Sequence, residues 1–341
     1  MRCFVRSSRP TQVDVAKRAG VSRQTVSLVV QRDPRVSDAS REAVLDAMEE
    51  LGYRPNLSAQ ALASSRTGFL GISLSGLDNS FHAELAEELR RTGEEKGLIP
   101  FVSVVGEDAD EQRRAAERFI EVNVDGLILV SPVLDMESLS HIGRRVPTIL
   151  LTQNIGPSAV DLVHTDDRLG AAIATRHMVD GGYSPLIHVG YDRGVEGDSS
   201  KERIAGYLDV VTENGLAPEL VDLSMQSIDD AADSMVRRFG RDFGVCCHND
   251  LIAFRLMGAL SQHGLAPGAD YGLTGYDNTS LAGFPNVGLT SVDQDTEQLA
   301  QYAVELLVER TQGRTEQKNI VLPSTLIPRS STEHVSSSLT H

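Results

Sequence analysis

A chain of 341 residues with a formal charge of −16 is long enough for two or three domains, and its overall acidity argues against a nucleic-acid partner if read as one number. The charge is not uniform: residues 1–66 hold eleven Lys/Arg against seven Asp/Glu, a net of +4, while the remainder holds twenty-one against forty-one, a net of −20. A basic head on an acidic body confines phosphate contacts to one end. The N-terminus has arginines but no long apolar core, and no apolar run reaches membrane-spanning length, so the expectation is a cytoplasmic protein without signal peptide or membrane partner.

After a flexible tail over 1–10, the head reads as three helices. Thr11 lies three residues before Asp14, a capping-box spacing, and Val13, Ala16 and Ala19 form the expected inner stripe of the first helix. Gly20 lets the chain reverse, and Ser22 caps a second helix with two unlike faces. Val26, Val29 and Val30 fall at i, i+3, i+4 and point inward, whereas Gln24, Ser27, Leu28 and Gln31 lie on the opposite side. A short helix with an apolar back and a hydrogen-bonding front fits a DNA major groove. Ser37 caps a third helix with Val44, Leu45, Met48 and Leu51 on its apolar face and Gly52 at its end. A plain three-helix bundle would leave the polar front of the second helix unexplained.

The segment 54–66, R-P-N-L-S-A-Q-A-L-A-S-S-R, has two readings. It is a simple linker, or it is a hinge that becomes helical only when docked on DNA and a partner subunit, with Asn56 as cap and Leu62 wedged into the minor groove.

From Phe69 the pattern alternates. Apolar runs at Phe69–Ser75, Gly126–Ser131, Val146–Leu151, Leu186–Tyr191, Gly244–His248 and Tyr271–Tyr276 read as strands. Stretches such as Ala83–Lys96, Glu111–Val122, Leu169–Val179, Ile204–Glu213 and Leu251–His263 read as helices. This is the signature of βαβ units in doubly wound parallel sheets, and the span suits two α/β lobes sharing a cleft. Ligands of such sheets sit beyond the carboxyl ends of the strands. There stand Asp166, Asn249 and Asp277, with Ser75 and Ser131 ending first-lobe strands and Arg203 in a following helix. Carboxylate, amide and guanidinium together suit a polyhydroxylated ligand such as a sugar. Each also has a plainer role: Asp166 and Asn249 as helix caps, Asp277 with Asn278 as turn chemistry, Arg203 as an ion pair. Cys246 and Cys247 read as buried thiols in a strand, with no disulfide framework and no zinc spacing, so neither metal nor cofactor is expected. The Ser/Thr-rich residues 331–341 read as a disordered tail.

These motifs resemble the lac repressor / galactose repressor (LacI/GalR) family of bacterial transcription regulators. The resemblance rests on V-D-V-A-K-R-A-G-V-S-R-Q-T-V-S, V-S-D-A-S-R-E-A-V and L-G-Y-R-P-N-L-S-A-Q-A-L-A, then on D-N-S-F, D-G-L-I-L, T-D-D-R-L-G, R-I-A-G-Y, H-N-D-L-I-A, G-Y-D-N and L-T-S-V-D-Q-D, from Thr11 to Arg329. It implies an all-α helix-turn-helix head at 11–54, a hinge helix at 55–66 and a core at 67–330 like that of periplasmic sugar-binding proteins. The first lobe would take 67–165 and 291–325, the second 166–290. It also implies a non-enzymatic, nucleoid-associated repressor that binds a near-palindromic operator as a homodimer under allosteric control by a small ligand. By motif, Arg23, Gln24 and Leu28 would face bases, and Thr25 and Ser27 bases or phosphates. Asn56 would contact backbone and Leu62 the central base step; Thr11 and Gln31 complete the DNA-facing set. Phe81, Asp166, Arg203, Asn249, Asp277 and Gln294 would form the effector pocket.

The sequence departs from the family pattern in places. Leu28 cannot make a bidentate contact to guanine, so the operator sequence does not carry over. The common N-P-F-F stretch is Asn79-Ser80-Phe81-His82, and no tryptophan offers a stacking surface. No leucine-heptad tail follows the core, which favours a dimer over a tetramer. A nucleobase or phosphosugar effector is the alternative within the class. A solute-binding protein should lack 11–66, and a sugar-modifying enzyme should carry a catalytic motif that is absent here.

Overall fold

A computed structural model of the chain describes residues 10–30, 33–54, 66–191 and 194–333. It divides into two compact units, Met1–Thr67 and Gly68–His341. The expectations for Gln31, Asn56 and Leu62, and for a hinge over 55–65, lie outside the described residues, as does nearly all of the N-terminal tail.

The smaller unit holds α1 (Gln12–Ala19), α2 (Arg23–Val30) and α3 (Asp38–Leu51). Thr11 caps α1 with both halves of a capping box in place, its hydroxyl accepting from the Asp14 N–H and its own N–H donating to the Asp14 carboxylate. Gly20 and Gly52 end α1 and α3 in the left-handed region, at φ 67° and 62°, where a glycine is unstrained. The core is Val15, Ala16, Val26, Val29, Val44 and Ala47, with Tyr53. Two expected core positions differ. Val13 is 58% exposed and Leu45 51% exposed, because the 100° step from the capped first turn turns Val15 and Ala47 inward instead. Three fully buried valines at ~1.5–3 kcal/mol each are a substantial share of the stability of so small a unit.

The larger unit contains two sheets. The first is built from β1 (Phe69–Leu74), β2 (Ile99–Val104), β3 (Gly126–Val130), β4 (Thr148–Leu151), β5 (Asp161–Thr165) and β11 (Asn319–Leu322), in the order β11-β5-β4-β3-β1-β2, all parallel. One face carries α4 (Ser80–Glu95) and α11 (Thr296–Thr311), through Phe81, Leu85 and Leu89 against Leu299, Val304 and Leu307. The other carries α5 (Ala109–Glu121) and α6 (Met136–Arg145), through Phe119, Leu139 and Ile142.

The second sheet is built from β6 (Leu186–Gly190), β7 (Glu219–Asp222), β8 (Gly244–Cys247), β9 (Gly272–Asp277), β10 (Thr290–Asp293) and β12 (Thr325–Ile327), in the order β12-β10-β9-β8-β6-β7. Only the β10–β12 pair is antiparallel. It lies between α7 (Asp167–Asp180) with α8 (Ser199–Glu213) and α9 (Ile228–Phe239) with α10 (Asp250–Ser261). Helices α7 and α8 approach so closely at Gly206 that a side chain there would collide with the Arg168 carbonyl.

The chain crosses between lobes three times, after β5, after β10 and between β11 and β12. Strands at 290–293 and 325–327 therefore belong to the second lobe, so residues 291–293 and 325 lie there and not in the first lobe as expected. Their partners decide this: β10 pairs with β9, and β12 with β10. The tail expected to be disordered from 331 is ordered through 333. Ser331 and Thr332 are buried in a 3-10 turn, and the Ser331 hydroxyl donates to Leu273 O and accepts from Thr290 N.

Candidate functional sites: a helix-turn-helix face and an interlobe cleft

In the smaller unit, the hydrogen-bonding face of α2 stands away from its core. Arg23 and Gln24 are exposed, Ser27 and Leu28 half-buried, while Val26 and Val29 are inside. Ser22 caps the helix, its hydroxyl accepting from the Thr25 N–H at 3.0 Å and lying 2.9 Å from the Thr25 hydroxyl. The capped first turn thus presents Arg23, Gln24 and Thr25 at the helix N-terminus, where backbone N–H groups and the dipole favour phosphate.

In the larger unit, a cavity of about 810 Å³ opens at the carboxyl ends of both sheets. That is the size and place of a small-molecule site in an α/β fold. Of the residues expected there, Phe81, Arg203, Asn249, Asp277 and Gln294 line it, and so do Ser75 and Ser131. Asp166 does not: it is the N-cap of α7, its carboxylate accepting from the Leu169 N–H at 2.9 Å. The next residue, Asp167, turns inward and meets Arg203.

Arg203 is the centre of the arrangement. It is 4% exposed, donates from Nε to Asp167 at 2.8 Å and from Nη1 to the His248 carbonyl at 2.6 Å, and lies 3.5 Å above the Tyr276 ring. Its Nη1 is 3.8 Å from the Asp277 carboxylate. Gly170 makes room for the Tyr276 hydroxyl, which any side chain at 170 would strike. A buried guanidinium needs this many acceptors; fixed by them, its fork is pre-oriented toward the cavity.

Asp277 ends β9 at φ 106°, a conformation that costs an L-residue energy and that Asn278 beside it shares at φ 47°. The turn is pinned from several sides. Gln294 donates to Asp277 at 2.6 Å and Asn79, from the first lobe, at 3.3 Å. Arg329 donates to Asn278 Oδ1 and to Leu289 O, each at 2.6 Å. Beneath it the fully buried Asp250 accepts from Thr279 N, Thr279 Oγ1 and Ser291 Oγ. Burial pushes the Asp277 carboxyl well above its ordinary value; the Arg203 charge opposes this and Asp250 adds to it. Burial raises Asp250 likewise, against its hydroxyl and N–H donors.

Asn249 serves two ends: its Oδ1 caps α10 by accepting from Ile252 N at 2.9 Å, which leaves its amide donors for the cavity it lines. His82 lines the cavity with Nδ1 3.2 Å from Gly76 O. Asp167, Tyr276, Asn79 and Thr152 were not anticipated. Nothing in D-D-R-L distinguishes which aspartate caps and which faces inward; only the start of α7 decides it. Cys246 and Cys247 are buried, and burial pushes the Cys246 thiol up to about 11. Among the described residues no cluster of three or more His, Cys, Asp or Glu could hold a metal, and no helix is long and apolar enough to cross a membrane.

Residues 11–56 match the family of bacterial regulatory proteins, lacI family, and residues 175–332 match the periplasmic binding protein-like domain. The transcriptional regulator GalR of Escherichia coli (strain K12) is 28% identical over 336 residues, covering 96% of this chain and 97% of GalR. The crystal structure of the lac repressor dimer bound to operator and the anti-inducer ONPF aligns at a TM-score of 0.80 and 27% identity, over 95% of this chain and 99% of that one. The complex of the transcriptional regulator CelR with cellobiose aligns at a TM-score of 0.68 and 27% identity, over 95% of this chain and 100% of that one. The two matched regions follow the order of the two units along the chain. Residues 11–56 thus carry a lacI-family regulatory domain, and the relatives matched along nearly the whole chain are transcriptional regulators.

Proposed function

We propose that the protein is a repressor that binds a near-palindromic operator as a homodimer and responds to a sugar or sugar derivative held in the interlobe cleft. The observation that carries the reading is the Arg203 cluster. A buried guanidinium held by Asp167 and Asp277, beside Asn249, offers both donors and acceptors at fixed positions. Vicinal hydroxyls satisfy such a set at both ends, because each hydroxyl donates once and accepts twice. The CelR complex holds cellobiose and the lac repressor structure an anti-inducer, both in proteins of this fold.

For DNA, Arg23 and Gln24 are the base-reading pair at the start of α2, Thr25 and Ser27 reach bases or phosphates, and Leu28 offers an apolar contact to a thymine methyl. Thr11 belongs to the same face. Asn56, Leu62 and Gln31 remain proposed DNA contacts. Dimerisation is supported by exposed apolar side chains on edge strand β2, where Phe101, Val102 and Val104 are each about half exposed, and by Met225, Leu281 and Phe284 on the second lobe. The ligand acts by differential affinity for two closure angles, which set the spacing of the paired heads.

The test is a thermal-shift screen of sugars, polyols, sugar phosphates and purines on the full chain, followed by operator titration with each compound that raises the melting temperature. A neutral sugar that stabilises the protein and changes operator affinity is the expected result. Stabilisation by purines or sugar phosphates alone would replace the ligand assignment, and a stabilising sugar without effect on operator affinity would refute the coupling.

A further inference from the structure

Where β9 ends, two consecutive residues hold positive φ, Asp277 at 106° and Asn278 at 47°. Neither is glycine, so the turn costs energy and persists only because its surroundings over-determine it. Its outcome is the aim of one side chain: the Asp277 carboxylate lines the cleft and stands 3.8 Å from Arg203 Nη1. Gln294 and Asn79 bond that carboxylate but do not hold the backbone of the turn.

The backbone is held at Asn278 and after it. The Asn278 N–H donates to Ser291 Oγ at 2.9 Å, and Thr279 is fixed on the far side by Asp250. The Asn278 side chain is held by Arg329, whose Nη2 donates to Asn278 Oδ1 at 2.6 Å. The same guanidinium donates from Nη1 to the Leu289 carbonyl at 2.6 Å, so one planar fork ties the turn to the residue that precedes β10. The segment after β12 that carries Arg329 is docked by its own backbone. The Arg329 N–H donates to Thr290 Oγ1 at 2.8 Å, and its carbonyl accepts from that hydroxyl at 3.0 Å. What the side chain adds is therefore the hold on Asn278 and Leu289. Arg329 does not itself line the cavity, so any effect on a bound molecule passes through the turn.

We propose that Arg329 is a positioning residue for ligand binding: through Asn278 it keeps the turn at positive φ and so presents the Asp277 carboxylate to the cleft. The proposal rests on the sugar reading, in which vicinal hydroxyls donate to Asp277. Without the Arg329 bond, Asn278 relaxes toward negative φ, the peptide between residues 277 and 278 rotates, and the carboxylate leaves its place opposite Arg203. Arg329 also carries a charge that opposes the rise burial imposes on the Asp250 carboxyl. Lysine at this position keeps the charge and loses the fork, which separates the two roles.

The experiment is calorimetric titration of the full chain with D-glucose, D-galactose, D-ribose, D-xylose, cellobiose, maltose and lactose; the tightest binder is then titrated into each variant, with melting temperatures as the control of folding. Arg329→Met, which keeps the aliphatic stem, should raise the Kd by at least about tenfold. Asn278→Ala breaks the same bond from the other side with Arg329 intact and should raise it by a similar factor. Arg329→Lys should raise it by at least about threefold. Asn278→Gly gives a backbone that takes positive φ unaided and offers Arg329 no acceptor, so adding Arg329→Met to it should change the Kd by less than about threefold. An unchanged Kd in Arg329→Met would overturn the proposal and leave the sugar reading standing. Equal losses from Arg329→Met with and without Asn278→Gly would overturn the route through Asn278, and full retention of affinity in Arg329→Lys would overturn positioning in favour of charge. Binding of none of the seven sugars would overturn the sugar reading and this proposal with it.

Discussion

Replacing Asp277 by Asn separates what this carboxyl does for a ligand from what it does for folding. In the native turn it is 4% exposed, accepts from Gln294 and Asn79, and sits at φ 106°. Asparagine has nearly the same shape, tolerates positive φ and can still accept from Gln294. It loses the charge and one acceptor. Burial raises the carboxyl's pKa from 3.8 toward neutrality, so the folded state binds the proton more tightly than the unfolded chain. The sign follows from linkage: this group's contribution to stability falls as pH rises from about 4 to about 7, and Asn has no such loss. Asp277→Asn should therefore melt at or above the wild-type temperature at pH 7, with the difference shrinking toward pH 4. Hydrogen bonds to a charged group contribute roughly 1.5–3 kcal/mol each, and an amide oxygen replaces only part of a carboxylate accepting two hydroxyls. A loss of about 2–4 kcal/mol corresponds to a ligand Kd about 30- to 700-fold weaker. Differential scanning fluorimetry at several pH values and calorimetric titration with the stabilising sugar read the two effects. A melting temperature lowered by more than ~5 °C with ligand affinity kept within about threefold would refute the reasoning.

Asp161 is fully buried and held by Arg310, Arg314 and the Lys318 N–H, so Asp161→Ala strands the buried Arg310 guanidinium, while Arg314 keeps Glu309 and Leu306 O, and should cost about 3–5 kcal/mol in chemical denaturation; a loss under about 1 kcal/mol would contradict it. His188 is buried against Tyr207, and burial, with Arg203 nearby, lowers its pKa to about 4. Its depressed folded value makes its contribution complete above about pH 6.5 and lost as pH falls toward 4, so His188→Phe should flatten the acid limb of the stability profile between those values; an unchanged slope would exclude that role. Glu84 accepts from the Ser280 N–H and hydroxyl, at 2.9 and 2.7 Å, and so clasps one lobe to the other. Glu84→Ala should loosen closure and weaken ligand binding roughly three- to thirtyfold without lowering the melting temperature of the ligand-free protein by more than ~2 °C; unchanged ligand affinity would show that the clasp does not bias closure.

Much of this architecture is legible in the sequence where periodicity is strong. Val26 and Val29 at helical spacing announce the inner face of α2, and runs such as G-L-I-L-V read as buried parallel strands. Other parts carry little signal. Strand β2 is interrupted by Pro100 and keeps Phe101, Val102 and Val104 at the surface, so no alternation marks it. Ser331 and Thr332 belong to a stretch whose composition suggests disorder, yet their hydroxyls satisfy backbone and side-chain groups of β9 and β10, a tertiary role that composition does not encode. The cleft was legible as a set of polar residues at strand ends, but the choice of Asp167 over Asp166 depends on a single helical step, and the contributions of Asn79 and Arg329 depend on the lobes and the C-terminal segment folding back.

The most direct measurement is a fluorescence-anisotropy titration of the full chain on the inverted repeat nearest its own gene, at low salt, with and without the sugar that stabilises it. The account predicts saturable binding that Gln24→Ala weakens by at least about tenfold and that the sugar alters. Absence of binding to every such repeat, or binding indifferent both to Gln24→Ala and to the sugar, would contradict it.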